Sequence, residues 1–518
     1  MNTTFDLTTE SWIPVIGVDG ERQSLGLSDV LLNAHRLVHI DTENPLFKAS
    51  IFRVLLAILH RALDRPSSLA DLRTLLDEPQ FAARPITEYL DRWRERFDLF
   101  HPEYPFYQCA GLVVTDKAGN DNSDSIKVLL PEIAVGNNKT LFDHSVDQHD
   151  IYLSPAAAAR ALITAQNFAL GGLARKYSNH FGYRQNYYHA PLVAGMPTVA
   201  LGETLFETLV LNMLTEEHAG IPTMDTNCNV PVWERGGEDR DGETTTHGYL
   251  DYLTTQARHI RLIVEKHAGR VMVCRVYRTQ GVAPRNVHEP WFFYRESRSK
   301  PGEYRAPQLD PDRSVWRECD GLLALSHKED GKYEDHRPRP LRQLARIGAK
   351  AALVRCEILA LANDQATPLY WRDLSIRFPK LLLADHDLMS ALRDSLQIAE
   401  AVDGALQRGA YRFAAILLGA NPDKQDVRRI AASTGVSRNY WAALDTPFRN
   451  LVANIDRDTW APQWGHDVRE AARQSLEQCL VGSAPGNARG YRAAIAASAI
   501  VFAELKRVLV KYMDESAA

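Results

Sequence analysis

The segment Asp143-His144-Ser145-Val146-Asp147-Gln148-His149-Asp150 packs imidazoles and carboxylates densely enough to hold a divalent metal, on which a phosphodiester could be hydrolysed. His386-Asp387 and His466-Asp467 supply further pairs. A working centre needs ligands presented from rigid elements with an ordered outer shell. Here the cluster falls in an expected loop before a helix, and the other pairs stand near expected helix starts, where an aspartate is an ordinary favourable charge. There is no GxxxxGK[ST] phosphate loop and no GxSxG nucleophile turn. Cys109, Cys228, Cys274, Cys319, Cys356 and Cys479 stand singly, without a CxxC pair, which excludes a zinc knuckle or dithiol redox motif. The residues argue for binding rather than catalysis. The alternatives are a metal-dependent phosphohydrolase using residues 143–150 and a helical-bundle scaffold with no nucleic-acid role.

Two patterns suit a polyanion. Gly171-Gly172-Leu173-Ala174-Arg175-Lys176-Tyr177, followed by His180, Tyr183, Arg184, Tyr187, Tyr188 and His189, interleaves bases and aromatics after paired glycines. Glycine lets backbone approach a ligand, cations meet phosphates, and tyrosine rings stack on bases. A Gly-rich turn with its aromatics in the core fits the same residues. The second pattern is an expected helix over residues 341–361. Arg342, Arg346 and Lys350 recur every four residues on it, with Arg339 just before, while Leu344, Ile347, Ala351, Val354 and Ile358 face the core. Between Arg337 and Lys380 the chain carries a charge of +6, against −5 for all 518 residues. One local basic surface on an acidic chain points to a single anionic contact, or to a solvated helix face.

The elements that must position these residues differ along the chain. With 45% hydrophobic and 24% charged residues, the chain is a folded globular protein of two to four domains. Strands are expected at 12–18, 259–265, 271–277 and 291–294, and helices at 46–63, 156–168 and 204–214. Asn44 caps the first helix and Pro45 opens it. Long irregular stretches are expected at 116–124, 131–139, 171–197, 234–246 and 295–311, the fourth merely mobile. From residue 385 the pattern is purely helical. Apolar stripes run through 388–406, 441–455, 468–480 and 491–512, the last being Tyr491, Ile495, Ser498, Phe502, Leu505, Leu509 and Tyr512. The expected fold is therefore α+β: a mixed α/β body with long loops over 1–370, then an antiparallel four-helix bundle over 371–518. The N-terminus lacks the basic and apolar regions of a signal peptide, and no apolar run would span a bilayer. The chain reads as a reduced cytoplasmic protein without membrane contact.

Phe5-Asp6-Leu7 followed by Trp12-Ile13-Pro14-Val15 resembles the opening of the CasA family, the large subunit of the type I-E CRISPR surveillance complex, Cascade. Residues 97–108, from Phe97-Asp98-Leu99 through His101 to Pro105-Phe106-Tyr107-Gln108, are similar to a second family segment. The loop 136–142, the glycine turn, the Asn-Asp-Gln-Ala run at 363–366 and the helical C-terminus follow in the family's order. The resemblance implies a noncatalytic antiviral subunit that recognises the protospacer-adjacent motif (PAM) in double-stranded DNA, begins unwinding and recruits a helicase–nuclease. Its partners would be the CRISPR RNA handle and the backbone, small and RNA-processing subunits. It implies Gln365, beside Asp364, as the wedge; Gly171 and Gly172 against the minor groove; and Phe142, with Asn138, docking on the RNA handle. Arg342, Arg346, Lys350, Arg175 and Lys176 are candidate backbone contacts. The sequence departs from the family pattern in three places. The cysteine cluster of some members is missing, so no metal or other cofactor is expected. Asp364 replaces an asparagine, and the family's lysine finger has no lysine here, leaving Arg285 as the candidate and Arg278 as reserve.

Overall fold

The computed structural model of the chain describes residues 3–64, 66–131, 150–235, 238–297, 300–309, 315–323, 326–327, 333–347, 353–364, 367–456 and 459–510. It divides into two units. One comprises Met1–Leu309, Pro338–Lys350 and Arg355–Ser375; the other comprises Asp310–Arg337, Ala351–Val354 and Ile376–Ala518. The boundary expected at residue 370 falls inside the strand Thr367–Pro379.

In the first unit, the two segments that carry the resemblance are bound to each other. Asp6 and Asp98 form an antiparallel bridge. Leu7 N donates to Phe97 O and Leu99 N to Phe5 O, both at 3.0 Å. Trp12 is fully buried, with its indole N–H on Leu7 O at 2.9 Å. Gln108 donates to Leu99 O at 2.7 Å and accepts from Leu262 N at 2.8 Å. An amide, carrying donor and acceptor on one side chain, is what that bridge between loop and sheet requires.

The helix Pro45–Leu63 forms as expected, since Asn44 Oδ1 accepts from Leu46 N at 3.0 Å and from Phe47 N at 3.4 Å. Every residue from Pro45 to Leu59 is buried, Lys48 and Arg53 included, so the helix threads the core rather than flanking it. Its cations are neutralised in place, Lys48 by Glu357 and Arg53 by Glu289, each at 2.8 Å. Strands Arg258–His267 and Arg270–Gln280 pair antiparallel, matching two expected strands.

Several expectations are corrected. Trp291 to Tyr294 is no strand; Trp291, Phe292 and Phe293 are buried around a turn in which Glu289 accepts from Trp291 N at 3.1 Å. The aromatic bulk fills the core instead of extending a ladder. Three stretches expected as irregular contain paired strands: Gly172–Ser178 with Gly182–Tyr187, Gly242–Thr244 with Val282–Pro284, and Arg295–Ser297 with Lys300–Arg305. Within 234–246, expected to be mobile, Arg235 and Arg240 both pair with Glu238 and Asp251, at 2.6–3.0 Å. Its charges face each other rather than solvent.

The expected 341–361 helix is cut short. The helix is Arg339–Ile347, and the strand Leu353–Asp364 lies between Thr198–Leu201 and Thr367–Pro379. Val354 and every residue from Cys356 to Ala362 are buried, so the strand is covered on both faces. A strand of that kind is a continuous apolar run, which a helix resembles in sequence.

In the second unit, the helix His386–Leu418 spans 33 residues, about 50 Å at 1.5 Å per residue. Lys424–Ser433, Val436–Asn454, Trp460–Leu476 and Ala488–Leu509 all pack on it. The last helix turns inward a face that shares only Leu505 and Leu509 with the expected stripe among the described residues. Gly490, Ala493, Ala494, Ala497, Val501, Leu505 and Leu509 are buried, while Tyr491, Ile495 and Phe502 are exposed. Among the described residues no helix is long and apolar enough to cross a membrane.

Candidate nucleic-acid interface

The glycine turn is the foot of the hairpin Gly172–Ser178/Gly182–Tyr187. Gly171 N donates to His189 Nδ1 at 3.0 Å. A Cβ at Gly171 would lie 3.0 Å from Tyr187 O and 3.2 Å from His189 N, so the returning strand already occupies that space. Gly172 has φ +153°, a backbone state suited to glycine. The foot is clamped by Arg258, which is buried and donates to Leu170 O at 2.8 Å and Tyr188 O at 2.7 Å while lying over the Tyr187 ring at 4.7 Å. Burial pushes its guanidinium down to about 9, still charged at neutral pH.

On this hairpin the two basic candidates separate. Arg175 is exposed, with φ +51°, at a register shift between Leu173 and Lys176. Lys176 is not available to a phosphate: it is buried, and its Nζ bonds Asn122 O at 2.9 Å, Asn122 Oδ1 at 3.0 Å and Asp124 Oδ1 at 3.0 Å. The long lysine stem can reach inward from a strand wherever a carboxylate waits, and Asp124 supplies it. Leu173, Tyr183 and Tyr188, on the hairpin and the residue after it, are exposed too.

Arg285 stands at the end of Val282–Pro284, exposed, with its guanidinium on Glu243 at 2.8 Å. Arg278, the reserve, is tied to Asp124 at 2.8 Å and lies over Tyr187 at 5.1 Å, so it serves the sheet. His189 and Pro284 line one cleft of about 430 Å³, together with Tyr252, Glu289, Tyr294 and Arg305. The cleft is thus lined by His189, the acceptor of Gly171 N, and by Pro284, the residue preceding Arg285, while the glycines and Arg285 stand outside its lining.

The cationic helix is partly occupied. Arg339 donates to His218 O at 3.1 Å and Arg346 reaches His218 Nε2 at 3.4 Å, while Thr215 Oγ1 lies 2.7 Å from Nδ1. Burial holds the His218 imidazole below its usual range, and Arg346, Arg339 and Arg342 reinforce this against Glu217. A neutral imidazole can accept the Arg346 bond. Arg346 is exposed and Arg342 half-buried. Asp364 ends its strand, and only Gln365 and Ala366 connect it to the strand that starts at Thr367. Such a short connection joins antiparallel neighbours. Gln365, Lys350, Asn138, Phe142 and all of the 143–150 cluster except Asp150 lie outside the described residues.

Sequence reasoning missed a second, larger cleft of about 950 Å³, lined by Arg61, Arg96, Arg235 and Arg240 and by Cys228 and His247. The signal was the alternation of acid and base in 234–246, read as merely mobile. Burial opposes ionisation of Asp251, but hydrogen bonding from Arg240 and the charge of Arg235 outweigh it, and the carboxyl sits below its ordinary range. A depressed pKa stabilises the fold above the unfolded value of about 4 and ceases to do so as pH falls through the folded value. Hydrogen exchange of residues 238–251, taken relative to the intrinsic rate of each amide at the same pH, should therefore be steady from about pH 7 to 5 and accelerate below about pH 4. Asp251→Asn should accelerate it at neutral pH and flatten the acid response; an unchanged acid response in that variant would remove Asp251 as its source.

The sequence model for CRISPR-associated protein Cse1 matches residues 6–480. The chain is 32% identical over 495 residues to the CRISPR-associated protein CasA/Cse1 of Thermus thermophilus, covering 91% of each chain. It is similar to the crystal structure of Thermus thermophilus CasA with a TM-score of 0.80 at 27% identity, over 98% of this chain and 100% of that one. A structure described as a CRISPR RNA-guided surveillance complex contains a chain of the same fold, with a TM-score of 0.74 at 20% identity over 96% of this chain and 99% of that one. Through matches spanning nearly its whole length, the chain belongs to the CRISPR-associated Cse1 (CasA) family.

Proposed function

We propose that this protein is the large, noncatalytic subunit of an RNA-guided antiviral surveillance complex, and that it reads a PAM in double-stranded DNA, opens the duplex and recruits a helicase–nuclease. The observation that supports this most is the exposed Arg285, one residue beyond the cleft lined by Pro284 and by His189, whose ring holds Gly171 N. Guide-directed complexes leave sequence reading to base pairing, so the protein needs only a short-motif reader and backbone contacts. Arg285 supplies the charge, with a planar fork that also suits an acceptor edge. Arg175, Arg342 and Arg346, with Lys350, would hold phosphates. Gln365, at the hairpin connection, would enter the base stack.

The test uses the complex assembled with its guide RNA. Arg285→Ala should weaken binding to duplexes carrying the correct motif about tenfold, one lost charged contact of roughly 1–3 kcal/mol, and change motif-free duplexes little. Equal affinities of variant and wild type on both would overturn the reading. Phe142→Ala tests the docking end. A buried aromatic anchor carries a disproportionate share of interface energy, so the variant should fail to co-purify with the RNA-bound remainder while staying folded. Undiminished co-purification would remove Phe142 from the interface.

A further inference from the structure

We propose that Asp225, Cys228 and His247 form a zinc site at the mouth of the larger cleft. One carboxylate oxygen of Asp225, Cys228 Sγ and one ring nitrogen of His247 all lie within 4.8 Å of one another. Tetrahedral zinc, with bonds of about 2.0–2.3 Å, places its ligands roughly 3.4–3.6 Å apart. Small side-chain rotations close the difference. The donor set is a thiolate, an imidazole and a carboxylate, which favours zinc over magnesium or calcium, whose ligands are oxygens.

The backbone holds the two ligand-bearing segments together before any metal arrives. Met224 N donates to His247 O at 2.9 Å. Asp225 O accepts from Asn229 N at 2.8 Å, and Asp225 Oδ1 from Asn227 N at 2.9 Å, which folds residues 225–229 into a tight turn. Asn229 then spans both segments, accepting from Leu250 N at 2.9 Å and donating to Thr223 Oγ1 at 3.1 Å. His247 N donates to Asp251 at 2.8 Å, and Asp251 is itself held by Arg235 and Arg240. These bonds fix the backbone from which the three ligands project, and Asn227 N fixes the Asp225 carboxylate as well.

A thiol must lose its proton to ligate the metal. Binding releases that proton to solvent, and sulfur and carboxylate then share the cation. Cys228 and His247 line the cleft, so the fourth position faces its interior and takes water. A search for paired cysteines does not see such a site, because its three donors are of three kinds and 19 residues separate Cys228 from His247. It differs from the expectation of no metal, which rested on the missing cysteine cluster and on the loop setting of residues 143–150.

The full chain, reduced and freed of metal with chelator, would be titrated with zinc and then with cobalt(II). One zinc per chain is expected, and the cobalt form should show thiolate-to-cobalt charge-transfer absorption. Cys228→Ser should abolish that absorption, whereas Cys109→Ser, which changes the other thiol lining the cleft, should keep it. Asp225→Asn, at an exposed position, should bind zinc at least tenfold more weakly and covers the case in which Cys228→Ser fails to fold. No zinc retained by the wild-type chain, cobalt charge transfer surviving in Cys228→Ser, or zinc affinity unchanged in Asp225→Asn would each overturn the site.

Discussion

Arg53→Ala is expected to destabilise the first unit by about 3–5 kcal/mol, the loss typical when one member of a buried ion pair is removed. The side chain is 1% exposed in the middle of Pro45–Leu63. Nη1 bonds Glu289 at 2.8 Å, Nη2 bonds Tyr252 O at 2.6 Å and Nε bonds Leu253 O at 3.1 Å. The Tyr252 hydroxyl donates to the same carboxylate at 2.6 Å, and the guanidinium lies over its ring at 4.8 Å. Truncation strands a carboxylate that is 3% exposed, too deep for bulk solvent to replace the lost cation. Arg53→Lys should lose less, since it restores charge but not the planar fork that meets both carbonyls. Arg53→Met combined with Glu289→Gln should recover part of the loss, because neither charge then stays buried alone. Denaturant unfolding followed through the tryptophans of this unit measures all three. A loss below about 1 kcal/mol for Arg53→Ala would mean that the pair is solvated. The effect reaches the proposed interface too, because Tyr252 and Glu289 line the smaller cleft beside His189 and Pro284.

What could be read from the sequence follows from where each residue's partners lie. The helix Pro45–Leu63 was legible because its cap, its proline and its apolar spacing are local. The C-terminal helices were legible for the same reason, but the inward face of the last one was not. Hydropathy favours Tyr491, Ile495 and Phe502, whereas close approach selects small residues. A Cβ at Gly409 would lie 3.3 Å from Val501 Cγ2 and 3.4 Å from Ala497 O, so bulk on that side could not fit. Proximity to a second helix is invisible in one helix's periodicity. The arginine stripe misled in the opposite direction. Its four-residue spacing is real through Ile347, but continuing it into 353–364 treated a doubly covered strand as a helix face.

The candidate site divides along the same line. That basic and aromatic residues cluster at 171–189 was legible; that Lys176 turns inward was not, since Asn122 and Asp124, its acceptors, stand more than 50 residues away. Arg278 and Arg285 read alike in sequence. Only the fold separates them, by placing Asp124 and Tyr187 against the first and leaving the second exposed beside Glu243. Local chemistry is visible in a sequence, but whether a charge is already neutralised depends on residues far along the chain.

Gln365→Ala should slow opening of an intact target duplex at least tenfold while leaving binding to a target already melted beside the motif within about twofold. The expectation rests on the proposed reading and on where the residue sits in the chain. The strands Leu353–Asp364 and Thr367–Pro379 are neighbours joined by Gln365 and Ala366 alone. The first of them is anchored on Thr198–Leu201, with Arg355 opposite Leu201 and Ile358 opposite Thr198. Unstacking one step costs a few kcal/mol, and an inserted side chain that offsets about 1.4 kcal/mol of this changes the opening rate tenfold. Glutamine suits the task because its amide both donates and accepts toward the exposed base edges. Asp364, when ionised, only accepts and repels phosphate, so Asp364→Asn should leave opening equal or faster. A fluorescent base analogue beside the motif reports opening directly. Equal opening rates for Gln365→Ala and wild type on the intact duplex would sink the wedge. Equal slowing on the intact and pre-melted targets would place Gln365 in binding rather than unwinding.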